Sequence, residues 1–117
     1  MTAEELKART KKFAIRVIRL YRALPKNGVS EVLGKQLLRS GTSVAANYRA
    51  ALRARSRTEF IAKLGIVVDE ADETAFWLEL IRESDLVSPS KLVSLEQESH
   101  ELLAIMASAR NTTKSRS

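Results

Sequence analysis

The sequence has no cysteine, a single histidine, four glycines and two prolines among its 117 residues. The lack of cysteine excludes disulfide bonds, thiolate metal ligands and a cysteine nucleophile, and the single histidine excludes chemistry that needs two imidazoles. So few glycines and prolines argue against an all-β sandwich with many tight turns. No apolar run approaches the roughly 18 residues that a membrane span requires, and the polar, acidic N-terminus lacks the pattern of a secretory signal. We therefore expect one all-helical domain in the cytoplasm.

Start and stop signals divide the chain into four predicted helices. Pro25 cannot continue a helix and predicts the end of the first one. Two pairs of residues have the spacing of a capping box and predict helix starts, namely Thr2 with Glu5 and Ser56 with Glu59. The predicted helices run from Thr2 to about Leu24, from Ser30 to about Ala54, from Ser56 to about Glu83, and from Ser88 and Pro89 to about Arg110. We expect a bundle domain over residues 1–110 and a flexible polar tail over residues 111–117.

Apolar residues recur along these segments at spacings of three and four, which is the pattern of helices that pack side by side. The predicted core stripes are Leu6, Phe13, Val17, Leu20 and Leu24 in helix 1; Leu33, Leu37, Gly41, Val44, Tyr48 and Ala51 in helix 2; Leu64, Val67, Ala71, Thr74, Leu78 and Ile81 in helix 3; and Leu92, Leu95, Ser99, Leu102, Met106 and Ala109 in helix 4. Because all three connections are short, sequential helices are expected to be antiparallel neighbours. The sequence thus predicts an antiparallel up-down-up-down four-helix bundle.

The middle of the second helix is made of small residues, from Ser40 to Ala46. Glycine in a helix interior costs about 1 kcal/mol relative to alanine, and this cost is offset where a neighbouring backbone comes unusually close. Gly41 therefore predicts tight packing of the second helix against a facing helix. The alternative is that this segment is a loop.

The helices carry more apolar surface than one bundle needs for its core. Several large apolar side chains lie far from the core stripes at about 100° per residue; they are Ile15, Ile18, Ile66, Phe76, Trp77 and Leu80. A sizeable exposed apolar patch is typical of a partner surface, and tryptophan is typical of interface anchors. These residues predict the interface of a homo-oligomer. The alternative is that Trp77 folds back over a helix edge and is half-buried.

No arrangement of residues predicts catalysis. A di-iron bundle needs Glu-x-x-His pairs, but Gln97 stands three residues before His100. A bundle-type ribonuclease with an Arg-x(4–6)-His motif needs an arginine at 93, 94 or 95, and none occurs there. The acidic cluster of residues 69–73 is expected to be solvated or paired with basic residues. A glycine-rich phosphate loop is missing, so we expect no enzyme activity, no cofactor and no metal site.

The charge is divided unequally between the two halves of the chain. Residues 1–57 contain 14 Lys and Arg against 3 Asp and Glu, a net charge of +11. Residues 58–117 contain 6 against 11, a net charge of −5. Such an asymmetry indicates either a surface that binds polyanions or helix pairs that attract each other within a bundle or between subunits.

Four cations of the second helix fall within about 80° of each other, opposite its core face. They form the basic stripe, roughly 27 Å long at 1.5 Å per residue, which consists of Lys35, Arg39, Arg49 and Arg53. Arg55 and Arg57 extend this surface to the junction with the third helix, and we predict that all six bind nucleic acid. A second stripe, on the first helix, contains Arg9, Lys12, Arg16 and Arg19. Arginine suits bidentate contact with phosphate. Because aromatic residues are scarce in this half, contact is expected to the backbone rather than to the bases.

Three segments carry a resemblance to a known family, namely Gln36–Arg49, Arg55–Leu64 and Glu70–Leu80. Together they resemble the four-helix-bundle proteins encoded by intervening sequences in bacterial large-subunit ribosomal RNA genes. That family includes the accessory protein of diversity-generating retroelements. The similarity covers about residues 10–108, and the Arg-Ser-x-x-Ser-Val-x-x-Asn pattern of residues 39–47 is among its fairly specific parts.

The resemblance implies an antiparallel four-helix bundle that assembles into a ring, typically a pentamer, with no known catalysis. From the retroelement branch it implies binding to nucleic acid and to a reverse transcriptase. Many family members have Asn-Ile-Ala-Glu-Gly where this chain has Asn-Tyr-Arg-Ala-Ala at residues 47–51. The second helix is therefore expected to run further here.

Two functions are consistent with the sequence. The first is a non-catalytic, oligomeric adaptor that binds nucleic acid backbone through its arginine-rich surface. The second is a protein-binding scaffold, in which the basic half docks on the acidic half of a neighbouring subunit or on a partner. No membrane association is expected.

Overall fold

The computed structural model describes residues 1–116 and contains four α-helices. They are α1 (Ala3–Ala23), α2 (Gly28–Ala51), α3 (Arg57–Glu83) and α4 (Val93–Ser115), and a short 3-10 helix, Pro89–Lys91, precedes α4. Residues 1–116 contain no β-strand, which confirms the all-α prediction. None of the helices in this part of the chain is long and apolar enough to cross a membrane.

Successive helices pack as neighbours around one core. α2 packs against both α1 and α3, and α3 packs against α4, whereas α1 meets α4 much less closely. The end of one helix meets the start of the next, as the antiparallel arrangement requires: Tyr21 hydrogen-bonds Glu31 across α1 and α2, and Arg82 pairs with Glu96 across α3 and α4. α1 and α3 therefore lie on a diagonal of a rod that measures 47 × 20 × 20 Å.

The predicted core stripes form the core of the bundle. Every residue of the α3 stripe is buried, and so is every stripe residue of the other helices except Leu20, Leu33 and Ala109, which are half-buried. One polar member, Thr74, places its hydroxyl 3.0 Å from the hydroxyl of Ser40 and 2.7 Å from the carbonyl oxygen of Glu70. Hydrogen bonds of this kind allow a polar side chain to be buried without a large penalty.

Side-chain caps fix where α1 and α3 begin. Thr2 accepts a hydrogen bond from the backbone N–H of Glu5 at 3.0 Å, and Ser56 accepts one from Glu59 at 3.0 Å. Each hydroxyl satisfies an N–H group that has no partner inside the helix. Both predicted N-caps are confirmed.

The limits of α2 differ from the prediction at both ends. The helix begins earlier because Asn27, rather than Ser30, is its N-cap: the side-chain oxygen of Asn27 accepts the backbone N–H of Ser30 at 2.9 Å. It ends at Ala51, short of the predicted Ala54, because the N–H of Ala54 bonds the carbonyl of Ala51 at 3.0 Å. This three-residue spacing is that of a tightened last turn, which does not continue the α-helix.

The limits of α4 also differ from the prediction. Pro89 starts a 3-10 helix rather than α4, and Ser88 makes no side-chain capping bond. α4 continues past the predicted end at Arg110, and residues 111–115 are helical. They contain no glycine or proline that would end the helix. The last residue of the predicted tail, Ser117, lies outside the described residues.

The turn after α3 reverses the chain through a left-handed residue. Asp85 has a φ of 56°, and the backbone N–H groups of Asp85 and Leu86 bond the carbonyls of Arg82 at 3.2 Å and Ile81 at 3.5 Å. This pair of bonds is the Schellman motif, which satisfies the last carbonyls of a helix. The predicted end of α3 near Glu83 is confirmed.

Gly41 lies at a close approach of α1 and α2. A Cβ at this position would lie 2.9 Å from both Cγ atoms of Val17 and 3.2 Å from its Cβ. Residues 40–46 are helical, so the loop alternative is wrong. The predicted close packing is confirmed, and the facing helix is α1.

Candidate nucleic-acid interface

Lys35, Arg39 and Arg49 of the basic stripe lie on the exposed side of α2, whereas Arg53 follows the end of the helix. The first half of the stripe is paired within the chain. The side-chain nitrogen of Lys35 lies 3.4 Å from a carboxylate oxygen of Glu31, one helical turn earlier. Arg39 reaches across to α3, where one nitrogen lies 3.1 Å from the carboxylate of Glu70 and another donates a hydrogen bond to Glu73. That hydrogen bond holds the pKa of Glu73 below its usual value. Arg39 therefore links two helices, and its charge is largely balanced.

The second half of the stripe continues into a group of unpaired cations at one end of the rod. These are the junction arginines, Arg49, Arg53, Arg55 and Arg57, and all four are exposed. Within residues 1–116, no carboxylate lies within 4.0 Å of any of them. Arg57 donates a hydrogen bond to the backbone carbonyl of Arg116 at 2.6 Å, which joins the start of α3 to the end of α4. The junction thus presents four positive charges to solvent.

The stripe predicted on α1 attaches α1 to α4. Arg9 makes a bidentate pair with Glu98, with nitrogen–oxygen distances of 2.8 and 2.7 Å, and also reaches Glu101 at 3.0 Å. Arg16 donates a hydrogen bond to Ser94 at 2.8 Å. Hydrogen bonds from Arg9 favour the charged carboxylate and hold the pKa of Glu98 below its usual value. Arg9 and Arg16 are therefore used by the fold itself, whereas Lys12 and Arg19, the other two members of the stripe, are exposed.

A groove between α1 and α2 brings together cations that the sequence analysis did not connect. This α1–α2 groove has a volume of about 430 Å³ and is lined by Lys7, Lys11, Thr42, Ala45, Ala46 and Arg49. Lys7 and Lys11 are one helical turn apart, on the side of α1 away from Arg9. The signal that points to the groove is the run of small residues in α2, once it is combined with the antiparallel pairing of the two helices.

A second groove, of about 380 Å³, lies between α1 and α4. It is lined by Arg16, Arg19, Leu20, Ala23, Lys91 and Leu95. Because Lys91 precedes α4 and Arg19 is near the end of α1, this α1–α4 groove lies toward the end of the rod opposite the junction arginines. Its lining contains two leucines, whereas the apolar residues that line the α1–α2 groove are alanines.

The acidic residues of α3 are partly used in packing. Glu70 and Glu73 pair with Arg39, as expected for residues of this cluster, while Asp69 and Asp72 are exposed. Within residues 1–116, no group of three His, Cys, Asp or Glu side chains is arranged to hold a metal ion.

The predicted oligomer residues fall on two different sides of the bundle. Ile15 and Ile18 are exposed on α1, and Ile66 and Phe76 are exposed on α3. Because α1 and α3 lie on a diagonal, the structure does not bring the two pairs together. Each side therefore has its own exposed apolar surface.

The two remaining predicted oligomer residues, Trp77 and Leu80, are half-buried, and Trp77 packs against the core of its own chain. The ring of Trp77 packs edge-on against Phe76 with centroids 5.0 Å apart, and its indole N–H donates a hydrogen bond to Glu73 at 3.1 Å. Phe76, which is half exposed, is the more accessible of the two aromatic rings.

Comparison with known proteins shows which family this chain matches. The family model of the 23S rRNA-intervening sequence protein matches residues 4–108, nearly the whole chain. The chain belongs to this family. It is also similar to a protein of unknown function from the S23 ribosomal protein family of Bacteroides thetaiotaomicron, known from its crystal structure. The two are 37% identical with a TM-score of 0.87, and the match covers 95% of this chain and 99% of the other. No curated protein matches the sequence significantly.

Membership of the 23S rRNA-intervening sequence protein family confirms the resemblance seen in the sequence. The matched residues include most of all four helices, the junction arginines and the α1–α2 groove. Because the Bacteroides relative is described as a protein of unknown function, its similarity supports the fold but does not identify a ligand.

Proposed function

We propose that this member of the family is a non-catalytic adaptor that binds nucleic acid through the phosphate backbone. The observation that supports the proposal is the exposure of the four junction arginines without an acidic partner in residues 1–116. Arginines that the fold needs, such as Arg9 and Arg39, are paired with carboxylates. The junction arginines are left to bind an external polyanion, and their planar donors match phosphate oxygens.

The protein is expected to contact the nucleic-acid backbone rather than the bases, because neither tyrosine of the basic half is available for stacking on a base. Tyr48 is buried, and the hydroxyl of Tyr21 donates a hydrogen bond to Glu31 at 2.8 Å. Without aromatic side chains for stacking, affinity depends on phosphate contacts. Binding should therefore be weakly selective for sequence and steeply dependent on salt, with a log–log slope of about −0.7 to −0.9 for each phosphate neutralised.

The double variant Arg49→Glu, Arg53→Glu tests the proposal when it is measured by two methods. Fluorescence anisotropy with a labelled single-stranded RNA measures binding, and light scattering after size exclusion measures assembly. The matched control, Arg22→Glu with Lys26→Glu, reverses two exposed cations at the other end of the rod. We expect the junction variant to lose RNA binding at unchanged mass, while the control keeps most of its binding.

Two results would contradict this proposal. If the wild-type protein binds no RNA even at low salt, the adaptor function is wrong. If the junction variant loses its assembly instead of its RNA binding, the arginines are structural and the second function below is favoured.

The arrangement of the two apolar surfaces favours a second function, a scaffold built from copies of this chain. Ile15 and Phe76 lie on opposite sides of the rod, and the basic α1–α2 side faces away from the acidic α3–α4 side. A contact between unlike surfaces of successive subunits is heterologous, and it generates a ring when the rotation closes. We infer a ring of this kind, which the family resemblance suggests is a pentamer.

Phe76→Glu tests the ring. Phe76 is 50% exposed, so the substitution places a charge on one apolar surface without emptying the core. Val93→Glu is the matched control because Val93 is 59% exposed on α4, outside the predicted interface. Light scattering should give several times 13.0 kDa for the wild type and the control, and a smaller mass for Phe76→Glu. A wild-type monomer at micromolar concentration would rule out the ring.

A further inference from the structure

The α1–α2 groove carries positive charge that the fold does not use. Its lining contains Lys7, Lys11 and Arg49 and no carboxylate. Within residues 1–116, none of these three side chains takes part in an ion pair. Cations that line one groove repel one another, so an anion bound in the groove would relieve this repulsion.

The packing of α1 on α2 explains why these cations meet. Gly41 allows Val17 to approach, and the antiparallel register fixed by this contact places Arg49 across from the turn between Lys7 and Lys11. The two lysines are about 6 Å apart along α1 at 1.5 Å per residue. The three charges therefore line one open groove instead of spreading over a flat face.

The floor of the groove suits a phosphate backbone better than a protein partner. It consists of Thr42, Ala45 and Ala46, whose small side chains leave room for close approach. Protein interfaces are anchored by large apolar and aromatic side chains in their centre, and the lining offers none. Phosphate groups need cations and space, and both are present. The volume of about 430 Å³ lies in the range of about 300–1,000 Å³ found for ligand pockets.

We propose that the α1–α2 groove binds a stretch of nucleic-acid backbone whose phosphates contact Lys7, Lys11 and Arg49. This inference rests on the proposed adaptor function and adds the path of the bound strand. Arg49 belongs both to the junction arginines and to the groove, so a strand held at the junction continues along α1. Lysine acts on phosphate as a point charge, so the groove adds affinity without selectivity for sequence.

Two variants test the groove while every junction arginine is kept. Lys7→Gln with Lys11→Gln removes two cations, whereas Ala46→Glu adds a carboxylate and leaves all cations in place. Ala46 is exposed, and glutamate is a good helix former, so the fold should be retained. Circular dichroism checks the helix content and thermal unfolding of each variant.

Each variant has a control with the same change of charge. Arg19→Gln with Lys91→Gln removes two cations from the α1–α4 groove. Ala62→Glu adds a carboxylate at an exposed alanine of α3. Comparison with these controls separates the position of a charge from the total charge of the protein.

Anisotropy with a labelled oligouridylate over a series of salt concentrations measures the effect. The salt slope of the double lysine variant should become shallower by about 1.4, since each phosphate neutralised on a single strand contributes about 0.7. Ala46→Glu should weaken binding at low salt on the order of tenfold, because a like charge is brought next to the phosphates. Both controls should keep the slope of the wild type.

The possible outcomes separate the groove from the proposed function. If the wild type binds RNA and the groove variants bind as their controls do, the groove assignment is overturned and the adaptor function stands. If the wild type binds no RNA at low salt, both the groove assignment and the adaptor function are wrong. If labelled polyglutamate binds more tightly than RNA and is lost in the same variants, the groove takes an acidic protein and the phosphate assignment is wrong.

Discussion

Replacing Gly41 with alanine tests how tightly α1 and α2 pack. The new Cβ would lie 2.9 Å from both Cγ atoms of Val17, closer than van der Waals contact. Val17 is fully buried, so the clash is relieved only if the helices move apart. Overpacking costs about 1–3 kcal/mol, against a gain in helix propensity of about 1 kcal/mol. We expect Gly41→Ala to lower the free energy of unfolding by up to about 2 kcal/mol.

Gly65→Ala is the matched control, because Gly65 also lies inside a helix. The three atoms nearest to its new Cβ, at 3.2–3.4 Å, all belong to the end of the flexible Arg110 side chain. Without a rigid neighbour, the gain in helix propensity should dominate and stabilise the protein by about 0.5–1 kcal/mol. The two glycine variants should therefore differ by about 1–3 kcal/mol. Each kcal/mol shifts the Tm by roughly 3–6 °C for a chain of this size.

Thermal unfolding followed by circular dichroism measures this difference. All variants are compared at one protein concentration, because assembly would make the Tm depend on concentration. Val17→Ala in the Gly41→Ala background removes the clashing methyl groups, so the double variant should be more stable than the sum of the two single effects by about 0.5–3 kcal/mol. If Gly41→Ala melts above Gly65→Ala, the close-packing argument is refuted.

Three further predictions concern residues outside the two grooves. Arg9 holds the pKa of Glu98 below its usual value, so this pair stabilises the fold fully above about pH 4.5 and loses its contribution as the pH falls through the lowered pKa. The urea concentration at the midpoint of unfolding should fall between about pH 5 and 3, and this fall should be smaller for Glu98→Gln than for the wild type. An equally large fall in the variant would contradict the prediction. Thr74→Val removes the hydroxyl that meets Ser40 and should cost about 1 kcal/mol in urea unfolding, whereas Thr74→Ser should keep the bond. Asp85→Gly should raise the Tm and Asp85→Val should lower it, because the φ of 56° suits glycine and strains a β-branched residue; equal melting of both would show that the turn tolerates any residue.

The core of the bundle could be predicted because one physical rule determines it. A helix buries residues every three or four positions, so the α3 stripe from Leu64 to Ile81 was identified residue by residue. Helix starts at Thr2 and Ser56 were predictable because a hydroxyl that caps its own helix acts within three residues. The start of α2 was missed because Asn27 and Ser30 are both suitable caps, and sequence spacing alone does not rank them.

The candidate site was only partly predictable because it depends on contacts between helices. A helical projection of α2 places Arg39 and Arg49 on one stripe, yet Arg39 is paired with α3 and Arg49 has no ion pair among residues 1–116. A projection of α1 grouped Arg9 with other cations and left out Lys7 and Lys11, which belong to another side of the helix. Which cations converge is decided by how neighbouring helices face each other, and this information is not contained in the period of either helix.

The uneven packing around α1 has a consequence for how the bundle opens. α1 packs closely on α2 around Gly41, whereas it meets α4 less closely, and Arg9 joins α1 to α4 through ion pairs with Glu98 and Glu101. Local opening with the lowest free energy should follow the least closely packed seam. In native-state hydrogen exchange, amides of α1 and α4 should therefore exchange through a partial opening that added salt promotes. Amides in the middle of α2 and α3 should exchange only when the whole chain unfolds.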